Sequence, residues 1–179
     1  MKIAISGKSG CGNTTVSRLV SQKLNLDFIN FTFRNLAEEK HKTLPEVLEA
    51  AKTDDFWDRE TDRRQTELAR HSTGCVLGSR LAVWLLPEAR LKVYLFAETA
   101  TRARRILARE GGLLEEVKQF TQKRDGEDHE RYLQLYGIDN NDYSFVDMVI
   151  DTGKYTAEEI AGQIVERAKC GKPPLYGKS

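Results

Sequence analysis

The chain has 179 residues, and 28 Lys and Arg against 27 Asp and Glu give a formal net charge of +1. Hydrophobic residues make up 40% and charged residues 31%, which favours one folded domain and argues against disorder over most of the length. The near-neutral charge excludes the broad basic surface of a general nucleic-acid-binding protein, so we expect no nucleic-acid partner.

Membrane and secretory segments are not expected either. The sequence has no run of about 18 apolar residues that could span a membrane. It turns glycine-rich directly after Ile3-Ala4-Ile5, where a secretory signal would need a longer apolar stretch. Cys11, Cys75 and Cys170 lie far apart and match neither a zinc pattern nor a disulfide framework. We therefore expect a cytoplasmic protein.

The first part of the chain alternates short apolar runs with segments of helical composition. The pattern predicts a strand, a glycine loop, a helix, a short second strand and a helical segment. Their ranges are Lys2–Ser6, Gly7–Gly12, Thr14–Leu24, Asp27–Asn30 and Phe33–Arg70. Pro45 suits the first turn of a helix, so we expect the helical segment to be broken around Thr43-Leu44-Pro45.

The second part predicts two strands, two helices, a polar segment, a last strand and a last helix. Their ranges are Val76–Leu77, Leu91–Phe96, Thr101–Glu110, Leu113–Lys123, Arg124–Asp142, Phe145–Ile150 and Ala157–Ala168. The segment Arg124–Asp142 is rich in charge and tyrosine, and we interpret it as a mobile lid. The tail after Cys170 is expected to be frayed. Strands that alternate with helices predict an α/β fold with a mainly parallel sheet covered on both faces.

The glycine loop after the first strand has the spacing of a phosphate-binding P-loop. Four residues separate Gly7 from Gly12, and Thr14 supplies a hydroxyl two positions later. Glycines let backbone N–H groups curl around a phosphate, and the following helix adds its positive end. The Thr14 hydroxyl is suited to Mg²⁺ held by nucleotide phosphates. The predicted nucleotide-binding residues are Gly7, Lys8, Ser9, Gly10, Cys11, Gly12, Asn13, Thr14 and Thr15.

Two positions depart from the usual P-loop pattern. Asn13 stands where a lysine normally brings positive charge to the outer phosphates. Lys8, earlier in the loop, either reaches the phosphates instead or is a solvated loop residue. Gly78 and Ser79 follow the strand Val76–Leu77, where many P-loop enzymes carry a carboxylate for the metal. These departures leave open a degenerate P-loop protein that binds nucleotide with little transfer.

Arginines in separate segments are the candidates for charge neutralisation. A guanidinium binds phosphate through two parallel hydrogen bonds, which suits phosphoryl transfer. Arg80 follows a short buried strand at the edge of the sheet where ligands bind, so a functional role is favoured. Arg124 and Arg131 lie in the predicted lid, which would close on phosphates and exclude water. The alternating charges of Asp58–Arg64 favour solvated ion pairs instead.

The distal segment Tyr136-Gly137-Ile138-Asp139-Asn140-Asn141-Asp142-Tyr143-Ser144, with Val149-Ile150-Asp151-Thr152, resembles the archaeal-type cytidylate kinases among nucleoside monophosphate kinases. The P-loop, Asp58–Gln65 and Arg80-Leu81-Ala82 share the resemblance, which runs from Met1 to about Ala168. It implies a Mg²⁺-dependent transfer of the γ-phosphoryl group of ATP to CMP, and often to dCMP. A small-molecule kinase with another acceptor remains an alternative.

The resemblance also implies an organisation and a set of residue roles. The single domain, 1–179, would comprise a P-loop kinase core (1–30, 71–110 and 143–170), a small helical NMP-binding insert at about 31–70 and a lid at about 111–142. We expect it to be a monomer. The implied roles are ATP binding for Gly7–Thr15, acceptor-phosphate binding for Arg34 and Arg80, contacts with the transferring group for Arg105, Arg124 and Arg131, and nucleotide or lid contacts for Asp125 and Asp151. Lys8 joins the catalytic candidates on its position in the loop alone.

Two further departures from the family pattern concern the acceptor pocket. The family usually has an acid–glycine pair before its arginine, whereas this chain has Gly78-Ser79-Arg80. The small-residue turn usually found before Arg34 is replaced by Asn30-Phe31-Thr32-Phe33. Phe31 and Phe33 would narrow or reshape the pocket, which leaves the identity of the acceptor open.

Overall fold

Five parallel strands form the sheet of the computed structural model, which describes residues 1–170. The strands lie in the order β2-β3-β1-β4-β5, and every pairing between neighbours is parallel. This confirms the predicted α/β fold. The strands are β1 (Lys2–Gly7), β2 (Asp27–Ile29), β3 (Cys75–Gly78), β4 (Leu91–Phe96) and β5 (Met148–Asp151). The tail after Cys170, predicted to be frayed, lies outside the described residues.

Helices cover the sheet and extend from one end of it. They are α1 (Asn13–Leu24), α2 (Phe33–Glu39), α3 (Leu44–Ala50), α4 (Phe56–His71), α5 (Ala82–Leu85), α6 (Thr99–Glu110), α7 (Leu114–Tyr136) and α8 (Ala157–Cys170). The break predicted near Pro45 is confirmed. There Thr43 caps α3, and its backbone N–H donates to Glu46 Oε2 at 2.7 Å. Among residues 1–170, no helix is long and apolar enough to cross a membrane.

Alternate residues of the central strand β1 supply the two faces of the core. Ile3 and Ile5 pack in a cluster that includes Val16 of α1 and Ile164 of α8. Ala4 points to the opposite face, into a second cluster formed mainly by β3 and α5. The helices α2, α3 and α4 pack around a small cluster of their own, formed by Leu36, Ala37, Val47 and Trp57. The helices α2 and α3 and the start of α4 therefore form a small layer beside the carboxyl edge of the sheet, while the far end of α4 packs on the sheet through Ala69.

The structure differs from the predicted elements mainly in α7. We predicted a helix end at Lys123, whereas the helix continues through most of the polar segment to Tyr136. Three of its charged residues form ion pairs with other segments and hold the helix in place where an apolar stripe is lacking. These pairs are Asp125 with Arg102, Asp128 with Arg80 and Arg131 with Asp58.

A second difference is the start of β5, at Met148 and not at Phe145. Residues before it form a turn in which Ser144 donates its backbone N–H to Asp142 Oδ1 at 3.1 Å. The aromatic residues of this turn pack on aromatic rings of other elements: Tyr143 stacks on Tyr94 of β4, with ring centroids 4.0 Å apart. Aromatic packing therefore accounts for the apolar character that suggested a longer strand.

Candidate active site

The loop between β1 and α1 has the backbone that its glycines predict. Gly10 and Gly12 have φ values of 85° and 87°, in the region that favours glycine. A Cβ on Gly7 would lie only 2.7 Å from the carbonyl oxygen of Leu95, so the neighbouring strand also requires glycine there. The loop leads directly into α1, whose first N–H groups face the carboxyl edge of the sheet. This arrangement suits an anion.

A buried arginine, Arg102, holds the P-loop in position through hydrogen bonds and close packing. Arg102 is 3% exposed and donates to the carbonyls of Ser9 and Ala97, at 3.2 Å each. Its guanidinium also forms a bidentate ion pair with Asp125, with N–O distances of 2.6 and 3.1 Å. A Cβ on Gly10 would lie 2.9 Å from the Cβ of Arg102, so the loop packs tightly on this residue. Sequence reasoning assigned no role to Arg102, because nothing in the spacing of the basic helix distinguishes it from its neighbours.

A cavity of about 840 Å³ lies above the loop, between the α2–α4 helices on one side and α7 on the other. Most of the predicted site residues line it. They are Gly7, Lys8, Ser9, Gly10, Gly12, Asn13, Thr14, Thr15, Arg34, Arg80, Arg105, Arg124 and Arg131. The structure thus brings together in one space residues from segments that are far apart in the chain.

Three predicted residues do not line this cavity. Cys11 is 2% exposed and packs into the core, where burial raises the pKa of its thiol. Asp125 is engaged by Arg102. Asp151 accepts a hydrogen bond from the backbone N–H of Gly153 at 2.9 Å. The nucleotide or lid contacts of Asp125 and Asp151 remain a prediction, and their contacts in this structure are structural ones.

Ion pairs between arginines and acidic residues connect the two sides of the cavity. Arg80 Nη1 lies 3.1 Å from Asp128 Oδ2 of α7. Arg131 of α7 reaches back to Asp58 of α4, with its Nη1 3.3 Å from both carboxylate oxygens. Burial, followed by the neighbouring Arg80 charge, lowers the pKa of Arg124 below its ordinary value. A concentration of guanidinium groups with this effect favours the binding of a polyanion.

The two unusual P-loop positions have specific contacts. Asn13 donates from Nδ2 to the carbonyl of Ser79 at 2.9 Å, so its amide links α1 to the end of β3. Lys8 donates from Nζ to Asn141 Oδ1 at 2.9 Å. A Cβ on Gly78 would lie 2.5 Å from Ser17 Oγ, so no carboxylate fits at that position without a shift of α1. The close packing of Gly78 against α1 therefore explains why this position carries no acidic residue.

Arg105 connects the loop to the segment after β5. Its Nη1 donates to Thr152 Oγ1 at 2.8 Å and to the carbonyl of Gly10 at 3.3 Å, while Nη2 donates to the carbonyl of Thr152 at 2.6 Å. The segment that suggested a family from sequence thus contacts the P-loop through this arginine.

A polar face of α4 also lines the cavity, and sequence reasoning gave its residues no site role. Thr61 and Asp62 lie one turn after Asp58 and one turn before Gln65, on the same side of the helix. Burial raises the pKa of Asp62 from 3.8 to about 6. Among residues 1–170, the buried side-chain oxygens without a hydrogen-bond partner are Thr61 Oγ1, Gln65 Oε1 and Ser79 Oγ. All three belong to residues that line the cavity.

The donor groups near the loop fit a metal ion that arrives with a nucleotide. Within the described part of the chain, no three His, Cys, Asp or Glu side chains are arranged to hold a metal. Thr14, at the start of α1, offers one hydroxyl oxygen to the cavity. Mg²⁺ commonly combines few protein ligands with substrate phosphates and water, so this donor set is compatible with it.

Comparison with known proteins gives a family and a fold. Residues 2–154 match the model of the cytidylate kinase-like family. Cytidylate kinase 2 of Borreliella afzelii (strain PKo) is 44% identical over 164 residues, which cover 89% of this chain and 92% of the relative. The cytidylate kinase of Archaeoglobus fulgidus is 36% identical over 174 residues, which cover 96% and 97% of the two chains.

Two solved kinases have a similar fold. The shikimate kinase from Bacteroides thetaiotaomicron has a TM-score of 0.66 at 18% identity, over 94% of this chain and 98% of that one. The deoxyadenosine kinase from M. mycoides with bound dATP has a TM-score of 0.61 at 16% identity, over 94% and 100%. At these identities the likeness establishes the P-loop kinase fold and nothing finer.

Proposed function

The chain belongs to the cytidylate kinase-like family, and from this membership we propose that it transfers the γ-phosphoryl group of ATP to CMP, and also to dCMP. The products are ADP and the cytidine diphosphate. We propose further that it acts as a monomer in the cytoplasm, with Mg²⁺, in pyrimidine nucleotide metabolism. The family relatives do not favour the alternative of a P-loop protein without transfer.

One observation carries the proposal: the cavity has an anion-binding loop at one end and a set of arginines facing it. The loop offers backbone amides and the start of α1, which suit the phosphates of the donor. Arg34 and Arg80 line the same space and come from the segments that follow β2 and β3. This arrangement supports separate places for two phosphate-bearing molecules within one cavity, as phosphoryl transfer requires.

In the proposed reaction, an oxygen of the acceptor's phosphate bonds to the γ-phosphorus as the bond to the bridging oxygen of ADP breaks. Arg34 and Arg80 would hold the acceptor's phosphate in line. Lys8, Arg105, Arg124 and Arg131 would neutralise charge on the transferring group. Arg80 and Arg131 pair with carboxylates in this structure, so binding would exchange those carboxylates for phosphate oxygens.

Thr14 would hold Mg²⁺ together with the nucleotide phosphates, and the ion would supply further charge neutralisation when bound. Lys8 is the nearest candidate to replace the charge that Asn13 lacks, since it lines the cavity within the same loop. It would leave Asn141 to do so. Asn13 itself is committed to Ser79 and would serve the loop's position.

The test is an assay that couples ADP release to NADH oxidation, with ATP and a panel of nucleoside monophosphates. We expect turnover with CMP and dCMP. Arg80→Ala should lower kcat/KM for CMP by about tenfold to two-hundredfold, because one charge-assisted phosphate contact contributes about 1.5–3 kcal/mol. Arg70→Ala is the matched control, because Arg70 pairs with the exposed Glu88 outside the cavity.

ATP binding by calorimetry without ADP release on any pyrimidine monophosphate would refute the proposal. That result would favour the degenerate P-loop alternative, in which Asn13→Lys should raise activity. In an active kinase, Lys8→Ala should cause the larger loss.

A further inference from the structure

Gln65 has a side-chain orientation that its neighbours fix. Its Nε2 donates to Asp62 Oδ1 at 2.6 Å, one turn earlier on α4. Asp62 Oδ2 in turn accepts from the hydroxyl of Tyr136 at 2.8 Å. An ionised carboxylate only accepts hydrogen bonds, so the opposite orientation of the amide would set Gln65 Oε1 against Asp62 Oδ1. The Gln65 carbonyl is therefore turned away from Asp62.

That carbonyl has no hydrogen-bond partner within residues 1–170, although Gln65 is only 2% exposed. Buried acceptors in proteins are nearly always paired. Gln65 lines the cavity, so a molecule bound there can provide the missing donor. A ligand N–H or O–H group that reaches this oxygen beside the α2–α4 helices would satisfy it.

Thr61 adds a second unpartnered group on the same face of α4. It lies one turn before Gln65 on α4, also lines the cavity, and its hydroxyl has no partner within the described chain. A hydroxyl can donate or accept, so it adapts to either kind of neighbour. This face of α4 therefore carries one fixed acceptor and, one turn away, one adaptable group.

This pattern complements the amino-bearing edge of cytosine, where the N4 amino group donates and the adjacent N3 accepts. Uracil has a carbonyl at the equivalent position, which would face the Gln65 carbonyl and leave both oxygens unpaired. We propose that Gln65 Oε1 accepts a hydrogen bond from the N4 amino group of the acceptor base, with Asp62 and Tyr136 as positioning residues, and so selects cytosine over uracil. The inference rests on the proposed function, to which it adds the group that reads the base.

The experiment measures kcat/KM for CMP and for UMP at pH 8, where Asp62 is ionised because its pKa is about 6. Gln65→Met keeps the length of the side chain and removes the acceptor. We expect the CMP-to-UMP ratio of wild type to be at least about tenfold, and Gln65→Met to reduce it by about tenfold or more, chiefly through loss on CMP. Gln134→Met, on the exposed side of α7, is the matched control.

Asp62→Asn provides a second variant that does not alter Gln65 itself. An asparagine can donate as well as accept, so Gln65 becomes free to turn its amide toward uracil. We expect this variant to gain activity on UMP and to lose preference for CMP. A structural role alone would lower activity on both substrates and leave the ratio unchanged.

Three outcomes separate this inference from the proposed function. A wild-type enzyme that uses CMP and UMP equally overturns the inference, as does a CMP preference that persists in both variants. If wild type phosphorylates no monophosphate, the proposed function fails while the inference is still tested by calorimetric binding. In that case equal affinity of wild type for CMP and UMP overturns it, and a CMP preference lost in Gln65→Met supports it.

Discussion

Asp125→Asn is expected to destabilise the protein strongly, since it breaks the buried ion pair beneath the P-loop. The side chains of Arg102 and Asp125 are 4% and 16% exposed. Removal of one partner from a buried pair costs about 3–5 kcal/mol, because the other charge stays buried. We expect about 3 kcal/mol here, since Asn keeps one acceptor oxygen and the carbonyls of Ser9 and Ala97 remain. For a domain of this size that lowers Tm by roughly 6–12 °C in scanning calorimetry.

Asp151→Asn is the matched control, with the same change of charge at the other acid predicted to bind nucleotide. Its partner Lys154 is 72% exposed and lies 3.4 Å away, so that pair contributes less than about 1 kcal/mol. We expect a Tm within about 4 °C of wild type. Equal Tm losses in the two variants would refute the structural role of the Arg102–Asp125 pair. A double variant, Arg102→Met with Asp125→Leu, should recover part of the loss, because no buried charge remains.

Two further predictions concern stability. The pKa of Asp62 is raised from 3.8 to about 6 by burial, so its contribution to the free energy of unfolding is intact below about pH 4 and falls as pH rises through 6. The loss is at most about 3 kcal/mol. Because Asp62→Asn lacks the titrating group, the Tm of this variant minus the Tm of wild type should increase between pH 4.5 and 7.5. A Tm difference that stays constant over this range would contradict the pKa shift. Gly78→Ala should lower the free energy of unfolding, measured in urea, by about 1–3 kcal/mol, because its Cβ would lie 2.5 Å from Ser17 Oγ. In a Ser17→Gly background, which lacks both close atoms, Oγ at 2.5 Å and Cβ at 2.7 Å, Gly78→Ala should cost much less, and an equal cost would argue against this contact.

The sequence predicted those parts of the fold whose signals are local. The apolar run Leu91–Phe96 and the glycine loop were located correctly, because strand alternation and positive-φ turns depend on adjacent residues. The extent of α7 was not predicted, since its acids and arginines are paired with residues of distant segments. The resemblance to archaeal-type cytidylate kinases is confirmed by the family and its relatives.

The residues of the candidate site also fall into those that could be predicted from the sequence and those that could not. Among the arginines that line the cavity, Arg80 was recognisable from its position after a strand, and Arg124 and Arg131 from their polar segment. Arg34 and Arg105 were indicated only by the resemblance. Gln65 and Arg102 were not recognisable, because their importance depends on the orientation of one neighbouring carboxylate in each case. The sequence marked Asn13 and Gly78 as departures but could not show their partners, Ser79 and Ser17, which are apart in the chain and adjacent in space.

The support of the P-loop by Arg102 has an energetic consequence for ligand capture. In a trans peptide the N–H points opposite to the carbonyl, so the bond from Arg102 to the Ser9 carbonyl turns the Gly10 N–H away from the guanidinium. The conformational entropy of this peptide is thus lost when the chain folds and not again when an anion arrives. A preorganised loop of this kind should show little backbone rearrangement on binding, with a smaller entropic penalty than a loop that orders around its ligand.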